Sequence, residues 1–559
     1  MPMIFFQLRL PLFSAFLLLI AWVPRVASGA GVRISRAADT DGEVRDFQVS
    51  STGKYAVYSA WKTEVPWVPH LFSVALDGSE PVSLAPDKFA EQAPYYSFRY
   101  QITPDGTRVV YSGRAEGSTV CSLYSVPISG GPPVRLSKAE ENVIQFVMSP
   151  DGHWVIFSSY GNFPYRLLRA APSGVADSSV DITPPGARPI SIGEMQISPD
   201  SRHFLYMGDM LPLDGWGIYC LPVDGDGSSF IRLSRPAIPK YAMNFLVTAD
   251  GRKLVYRYVE DSPTTATAHL YAVSISGPAT SYLDCSGSMI TGGPGVDFVG
   301  VMNFSASPDS RHVVFSAIRE AVGKRELYSY PLEAPNPGPA SPVKLNVPIA
   351  DDQDVSDSSF IISPDSERVV YSAGDWCWEH NLFTVPIAGP LSENIPLSKP
   401  IFAATSSGYG WLNSVVFSPD GARIAFNSMQ DSPDYIDLYS IPRLGPASAA
   451  IRLNPPQVKG SSGYAICQNP VYSPDGSWLF YTAQTAANRT DLLQVPSRGP
   501  AAGSINLSGV STSYPGVLVF RLVPGQRRVV YVGQIDSAAV ELYMAAMGNS
   551  LSYLPMVLR

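Results

Sequence analysis

The chain has 559 residues and is rich in proline and glycine, with 51 and 45 copies. Its 48 acidic residues outnumber its 40 basic residues, which gives a formal net charge of −8. Nucleic-acid binding needs a basic surface, so this balance argues against a nucleic-acid partner. The five cysteines lie far apart without C-x-x-C spacing, which argues against a zinc site.

The first 30 residues have the pattern of a secretory signal peptide. Arg9 precedes an apolar run over residues 10–23, which is too short for a comfortable membrane span. Small residues at 27–30 then provide a cleavage site. We therefore predict a signal peptide over residues 1–30. The rest of the chain is predicted to be exported to the periplasm or the cell exterior, with no membrane span after cleavage. The alternative is an uncleaved anchor at the same position.

Residues 32–35, Val-Arg-Ile-Ser, nearly match Val-Arg-Leu-Ser at residues 134–137, where a repeated unit of the chain ends. We predict that residues 32–35 form a strand that completes the last unit, because closure removes exposed strand edges. The alternative closing strand lies at residues 550–557.

Residues 102–137 hold one copy of a pattern that recurs about ten times. The turn at 103–106 is Thr-Pro-Asp-Gly: proline presets φ, aspartate bonds nearby backbone and glycine accepts positive φ. One apolar strand ends at this turn, and residues 108–111, 123–126 and 134–137 predict three more. Four antiparallel strands in about 45 residues, repeated, are typical of a propeller blade.

The copies align on their turns, most of which have Ser or Thr first and Asp third. They occupy residues 50–53, 103–106, 149–152, 198–201, 248–251, 307–310, 363–366, 418–421, 473–476 and, in degenerate form, 523–526. The third strand recurs with leucine followed by an aromatic residue at 71–74, 270–273, 327–330, 382–385 and 438–441. This repetition overrides the several domains that length alone would suggest, so residues 31–559 are predicted to be one repeat array.

The turn, the apolar strand after it and the Leu-Tyr-Ser-Val strand resemble the TolB-type, WD40-like (PD40) β-propeller repeat. The resemblance covers nearly all of the chain after residue 30 and implies an exported bacterial protein. It implies an all-β fold, a β-propeller of about ten four-stranded antiparallel blades in one closed ring. The alternative is two smaller propellers separated near residues 285–300. The chain departs from TolB itself because no α/β domain precedes the blades, and it lacks the G-x-S-x-G motif of propeller-bearing peptidases.

The two ends of each predicted blade differ in character. One end carries the tight turns, and the other carries long loops rich in aromatic residues. These loops are at residues 61–70, 89–97, 241–244, 376–381, 406–413 and 463–469. Long loops on a rigid scaffold usually carry function, so we predict that the loop-rich face binds the partner.

A polar residue recurs four positions before the turn serine or threonine, at the start of the first strand. Ser359 and Ser414 share this position, and the last copy has Val519 instead. We predict a ligand-binding polar set at the mouth of a central channel, consisting of Asp46, Arg99, Gln145, Glu194, Asn244, Asn303 and Asn469. The alternative is that these side chains bond backbone groups of neighbouring blades.

Residues 351–357 include four aspartates. Asp352, Asp354 and Asp357 could offer oxygen ligands to calcium, but the glycine and closing glutamate of an EF-hand loop are missing. We therefore favour a solvated acidic loop and predict no cofactor. The six histidines occupy repeat-equivalent positions on different blades, so they do not converge on a metal ion. No spacing of Ser, His and Asp predicts a catalytic triad, and no catalytic residue is predicted.

These patterns predict an exported, monomeric β-propeller that acts as a binding or scaffold protein without catalytic activity. Its loop-rich face would recognise a protein, a peptide or a glycan, because tryptophan and tyrosine suit both protein contacts and sugar stacking. One alternative is an extracellular polysaccharide lyase or hydrolase with its site at the central channel. A further alternative is a structural envelope protein.

Overall fold

The computed structural model describes most of the chain after residue 30. The described residues are 31–36, 42–61, 69–85, 99–115, 118–160, 165–186, 188–211, 216–235, 240–261, 266–290, 298–333, 341–350, 353–375, 380–400, 414–432, 434–457, 465–486, 489–509, 516–534 and 539–548. The predicted signal peptide and the alternative closing strand at 550–557 lie outside them.

Within these residues the chain forms forty β-strands, which pair in sets of four to give ten units. The first strand in the chain is β1 (Val32–Arg33). Units 1 to 3 contain β2 (Glu43–Val49), β3 (Tyr55–Trp61), β4 (Pro69–Ala75), β5 (Val82–Ser83); β6 (Tyr100–Ile102), β7 (Arg108–Gly113), β8 (Ser122–Pro127), β9 (Val134–Arg135); and β10 (Val143–Met148), β11 (Val155–Ser159), β12 (Arg166–Ala170), β13 (Val180–Asp181).

Units 4 to 6 contain β14 (Arg188–Ile197), β15 (His203–Leu211), β16 (Trp216–Pro222), β17 (Ile231–Arg232); β18 (Lys240–Val247), β19 (Lys253–Asp261), β20 (Ala266–Ser274), β21 (Leu283–Asp284); and β22 (Phe298–Ala306), β23 (His312–Ile318), β24 (Arg325–Pro331), β25 (Val343–Lys344).

Units 7 to 9 contain β26 (Gln353–Ile362), β27 (Arg368–Asp375), β28 (His380–Pro386), β29 (Ile395–Pro396); β30 (Val415–Phe417), β31 (Arg423–Ser428), β32 (Tyr435–Pro442), β33 (Ile451–Arg452); and β34 (Ala465–Tyr472), β35 (Trp478–Ala486), β36 (Arg489–Pro496), β37 (Ile505–Asn506). Unit 10 contains β38 (Gly516–Leu522), β39 (Arg528–Gln534) and β40 (Glu541–Ala546) together with β1. Short 3-10 turns occupy Leu391–Glu393, Ala447–Ala449 and Ala501–Gly503. This all-β arrangement of repeated four-stranded antiparallel sheets is propeller-like.

The tight turns form as the sequence predicts. In unit 2 the Thr103 hydroxyl donates to the Asp105 carboxylate, and the Arg108 N–H donates to the Thr103 oxygen at 3.0 Å. Gly106 has a φ of 68°, which glycine adopts without steric cost. The hydrogen bond from Thr103 holds the pKa of Asp105 below its ordinary value. In the turns that have Ser or Thr first and Asp third, these side chains therefore fasten the hairpin that joins the first two strands.

The hydrophobic core lies between units rather than inside one unit. One buried cluster joins Val110 and Leu123 of unit 2 to Phe146 and Phe157 of unit 3. Comparable clusters join the other successive pairs from unit 1 to unit 10. Because a single sheet cannot bury its faces alone, each unit depends on its neighbours for stability.

Buried tyrosines of the second strands add polar links between units. In three places the tyrosine hydroxyl accepts a hydrogen bond from a backbone N–H that follows the fourth strand of the preceding unit. The pairs are Tyr371 with Val347, Tyr256 with Arg235 and Tyr58 with Arg36, at 3.0, 3.3 and 3.2 Å. The last pair links unit 10 to unit 1.

Units 5 and 6 pack together on either side of residues 285–300, where the alternative of two propellers places its boundary. Ala268 of β20 pairs with Gly300 of β22 in a short parallel ladder. Cys285 is 0% exposed and belongs to the cluster that also contains Phe304 of unit 6. Units 5 and 6 therefore pack together as other successive units do.

The strand β1 completes unit 10. It pairs antiparallel with β40, with Val32 opposite Met544 and Arg33 opposite Tyr543. This pairing confirms the prediction for residues 32–35 at the two residues that form the strand, Val32 and Arg33. A buried cluster beside it contains Ile34 together with residues of both unit 1 and unit 10. The first and last units of the array are therefore in contact.

None of the helical segments among the described residues could span a lipid bilayer.

Candidate binding surface on the first strands

Six of the seven members of the polar set lie where the first strand of a unit departs from regular pairing. The register between β2 and β3 shifts between Val44 and Asp46, and that between β10 and β11 shifts between Val143 and Gln145. Comparable shifts interrupt the first strands of units 4, 5, 6, 7, 9 and 10. Such β-bulges re-aim side chains and are common beside functional sites. Arg99 instead lies directly before β6.

Exposure changes abruptly at these bulges. Gln145 is half-buried, and the other six members of the polar set are exposed. The residue that follows is buried and often aromatic: Phe47 and Phe146 are 7% exposed, and Phe304 is 8% exposed. The aromatic side chain anchors the strand in the core while the bulge presents the polar side chain to solvent.

Asp46 is tied to unit 2. Its carboxylate accepts a hydrogen bond from the Tyr100 hydroxyl at 3.0 Å and another from the Ser59 hydroxyl. Burial, reinforced by the Asp46 charge, raises the pKa of Tyr100 well above its ordinary value. Tyr100 is therefore a neutral donor, and Asp46 links units 1 and 2 while part of it stays in contact with solvent.

Gln145 and Glu194 also contact the next unit. The Gln145 amide donates to the Gly193 carbonyl at 2.6 Å. The Glu194 carboxylate accepts from the Phe245 N–H, although burial has the larger effect and raises the pKa of this carboxyl. These are the backbone contacts that the alternative interpretation expects, so both residues help to hold successive units together.

The remaining members are held within their own units or are exposed. Asn303 accepts a hydrogen bond from the Phe304 N–H at 2.9 Å and so caps its own bulge. The Arg99 carbonyl accepts from the Ser112 N–H at 3.0 Å, and the Arg99 side chain is exposed. Asn244 is also exposed. The polar set is therefore distributed along the array, one residue per unit.

Sequence spacing did not identify two side chains of the second strands that bond the next unit. Asn427 of unit 8 donates to the Cys467 carbonyl of unit 9 at 3.0 Å. The Arg257 guanidinium of unit 5 donates to the Met302 carbonyl, at the bulge of unit 6, at 2.8 Å. The shifted register between the first and second strands of a unit decides which side chain reaches the neighbouring unit. This shift is not visible in the sequence.

A recurrent serine opposite the bulge, in contrast, is visible in the sequence. It follows an aromatic residue near the end of the second strand, and it pairs directly with a member of the polar set. The pairs are Ser59 with Asp46, Ser158 with Gln145 and Ser316 with Asn303. This repeated serine could have marked the position of the bulge.

A cavity of about 450 Å³ opens beside the first strands of units 8, 9 and 10. Its lining includes Ser414, Asn469 and Val519, which occupy the same repeat position in the three units, and Arg521. Asn469 has a φ of 54° directly before Pro470. A non-glycine residue rarely adopts this conformation, and a residue before proline is normally extended.

The residues proposed for calcium lie around the start of β26. Asp352 lies outside the described residues, and only the backbone of Asp357 is described. Asp354 is 5% exposed, and its carboxylate accepts a hydrogen bond from the Arg325 N–H at 2.7 Å. Asp354 therefore takes part in the contact between units 6 and 7. No three metal-binding side chains are grouped in the described part of the chain. The expectation of no cofactor, with calcium as the disfavoured alternative, stays a prediction.

Four cysteines are buried free thiols: Cys121, Cys220, Cys285 and Cys467. Burial raises the pKa of Cys121 to about 11 and that of Cys220 to about 12. These thiols are therefore protonated at neutral pH and serve as packing residues. Cys377 lies outside the described residues.

Most of the predicted loop-rich face also lies outside the described residues. The segments concerned are 62–68, 86–98, 376–379, 401–413 and 458–464. The role of their aromatic residues stays a prediction.

No family model matches the chain, and no curated protein matches it. Among solved structures, a crystal structure of the eukaryotic initiation factor aligns with a TM-score of 0.42 and 11% identity, covering 75% of this chain and 90% of that chain. A crystal structure of TolB from Acinetobacter baumannii aligns with a TM-score of 0.27 and 16% identity, covering 51% of this chain and 65% of that chain. Similarities this distant carry no argument about function.

Proposed function

We propose that this protein is an exported propeller-type scaffold that binds a protein, a peptide or a glycan through the polar set and the loops beside it. The repeated bulge carries this proposal. At the same position in successive units, the backbone ladder is interrupted and a polar side chain is exposed beside a buried aromatic anchor. A bulge gives up regular pairing, and bulges are common beside functional sites, so their recurrence in successive units supports a recognition surface there.

We also infer that the ten units form one closed ring. The pairing of β1 with β40 and the cluster shared by units 1 and 10 support closure. The buried cluster that joins unit 5 to unit 6, on either side of residues 285–300, supports one ring rather than two separate propellers. Since propeller blades surround a central channel, closure would gather the polar set at one mouth of that channel.

The same proposal includes membership of the PD40 repeat family, export, a monomeric state and the lack of catalytic activity. The recurrent Ser-Pro-Asp-Gly turn supports the family, and the signal-peptide pattern of residues 1–30 supports export. The spread of the histidines over different units supports a binding protein over a metal-dependent lyase.

The combined variant Arg99→Glu and Glu194→Gln tests the binding surface. Arg99 is exposed, and glutamine at 194 keeps an acceptor for the Phe245 N–H, so the fold should be retained. Peptides selected against the parent protein from a display library, and a panel of soluble bacterial glycans, are titrated against parent and variant. We expect at least one ligand to lose about tenfold or more in affinity, because charged contacts at a binding surface are lost.

The matched control is Lys54→Glu with Glu80→Lys, which changes exposed charges beside the turns of unit 1. It should leave binding unchanged, and equal urea midpoints should show that both variants are folded. If every ligand binds the Arg99 and Glu194 variant as tightly as the parent, or is weakened equally by the control, the polar set is not the binding surface.

A further inference from the structure

We propose that the cavity beside units 8, 9 and 10 binds an aliphatic carboxylate, a small molecule with an apolar chain and one negative charge. Its volume of about 450 Å³ lies in the range of small-molecule sites. The proposal goes beyond the function proposed above, because the ligand is small. Apart from Asn469, the residues that recognise it are outside the polar set.

The repeated position before the turn supplies short side chains to the cavity. In units 2, 3 and 4 the repeated position before the turn holds long polar side chains of the polar set. In units 8, 9 and 10 the same position holds Ser414, Asn469 and Val519, which are shorter. These three short side chains line the cavity beside the strands.

Part of the cavity wall is apolar. Val471 is 40% exposed, although it lies inside a strand. Val416 and Phe520 line the same space, and Phe520 is 3% exposed because it belongs to the core cluster of units 9 and 10. An apolar chain that covers Val471 removes it from water, which favours binding.

Arg521 supplies a positive charge at this wall. It is exposed, and one of its nitrogens donates to the Phe520 carbonyl at 3.0 Å, which fixes the side chain near the strand. A guanidinium has five N–H donors in a planar fork that matches a carboxylate. The described residues that line the cavity include no carboxylate of their own. The charge of the cavity therefore favours an anion.

The backbone at Asn469 has an uncommon conformation beside the cavity. Its left-handed conformation before Pro470 is strained, and such strain concentrates at binding sites because the surrounding structure maintains it. The strained residue lines the cavity together with Ser414, so both place polar groups beside the apolar wall.

Three probes with the same ten-carbon chain test the proposal by isothermal titration calorimetry: decanoate, decanol and decyltrimethylammonium. We expect decanoate to bind at least tenfold more tightly than decanol, and the cation to bind most weakly. Arg521→Gln should weaken decanoate about tenfold and leave decanol unchanged, and Val519→Trp should weaken both by filling the cavity. The control Arg498→Gln removes an exposed arginine outside the cavity and should have no effect.

Several outcomes would overturn the proposal. They are the absence of decanoate binding, equal affinity for decanoate and decanol in the parent, and unchanged decanoate affinity in both Arg521→Gln and Val519→Trp. Urea midpoints identify a variant that fails to fold, in which case the other variant decides. The Arg521→Gln and Val519→Trp variants leave Arg99 and Glu194 unaltered, so they should retain peptide or glycan binding. The two proposals can therefore fail separately.

Discussion

The fourth residue of the tight turn determines how neighbouring turns are joined. It is serine in units 4, 6 and 7, where Ser201, Ser310 and Ser366 have φ values of 62°, 64° and 62°. Glycine accepts this left-handed conformation more readily than serine does. Each of these serines, however, accepts a hydrogen bond of 3.0 Å from an aspartate N–H in the turn of the preceding unit. The hydroxyl therefore offsets the backbone strain with a contact between units.

Substitutions at Ser310 should separate these two effects. Ser310→Ala removes the acceptor for the Asp250 N–H but keeps a β-carbon in the strained conformation. We expect it to lower the free energy of unfolding by about 1 kcal/mol. Ser310→Gly removes the same acceptor but relieves about 1 kcal/mol of strain, so its stability should stay close to that of the parent. The urea midpoints of the two variants measure the difference. A glycine variant less stable than the alanine variant would contradict this account.

The fourth strands are only two residues long in every unit, so side-chain pairs contribute to holding them. In unit 10, Glu541 of β40 is 2% exposed and lies 3.3 Å from Arg33 of β1. In unit 8, Asp437 of β32 lies 3.6 Å from Arg452 of β33. In both units the third strand supplies the acid and the fourth strand supplies the base.

Unit 3 reverses this order. Arg166 of the third strand lies 4.0 Å from Asp181 of the fourth strand. A fourth strand that carries an acid would therefore repel the acidic third strands of units 8 and 10. In a chain of similar repeats, such charge differences favour pairing of each short strand with its own unit.

The closing strand allows a test of this pairing. Arg33→Glu places a second negative charge beside the buried Glu541, and we expect the free energy of unfolding to fall by about 1–2 kcal/mol. Arg33→Gln should cost less, because it removes the attraction without adding repulsion. The control Arg45→Glu makes the same charge reversal in a more exposed ion pair, in which Arg45, 57% exposed in its side chain, lies 3.7 Å from Glu43. Urea midpoints compare the three variants, and equal midpoints for Arg33→Glu and Arg45→Glu would show that the ion pair does not hold β1.

The architecture was largely predictable because each unit is specified locally. The turn at residues 103–106 and the strands on either side lie within a short stretch of chain, and the closing strand copies residues 134–137. The four-stranded units and the pairing of β1 are therefore confirmed. The contacts of the polar set were not predictable in the same way. Gln145 bonds Gly193, 48 residues away, and the bulge that aims it exists only once the strands have paired.

A closed ring of ten units makes a prediction for imaging. If the inferred ring is correct, electron-microscopy class averages of the purified protein should show one ring with ten radial units, because units 1 and 10 share a buried cluster. The Arg33→Glu variant should show a larger fraction of open particles, whereas Arg45→Glu should match the parent. Two smaller rings joined near residues 285–300 would contradict the inference.

The pairing of β1 with β40 also sets the order in which the molecule can be completed. Glu541 follows Arg33 by 508 residues. At roughly 5–20 residues per second, synthesis of the partner strand follows that of the first strand by roughly 25 to 100 seconds. A chain cut short before β40 would leave both the first strand and the last sheet with unpaired edges, which invite aggregation and proteolysis. The pairing of β1 with β40 can therefore form only after units 1 to 9, which lie between them in the chain, have been made.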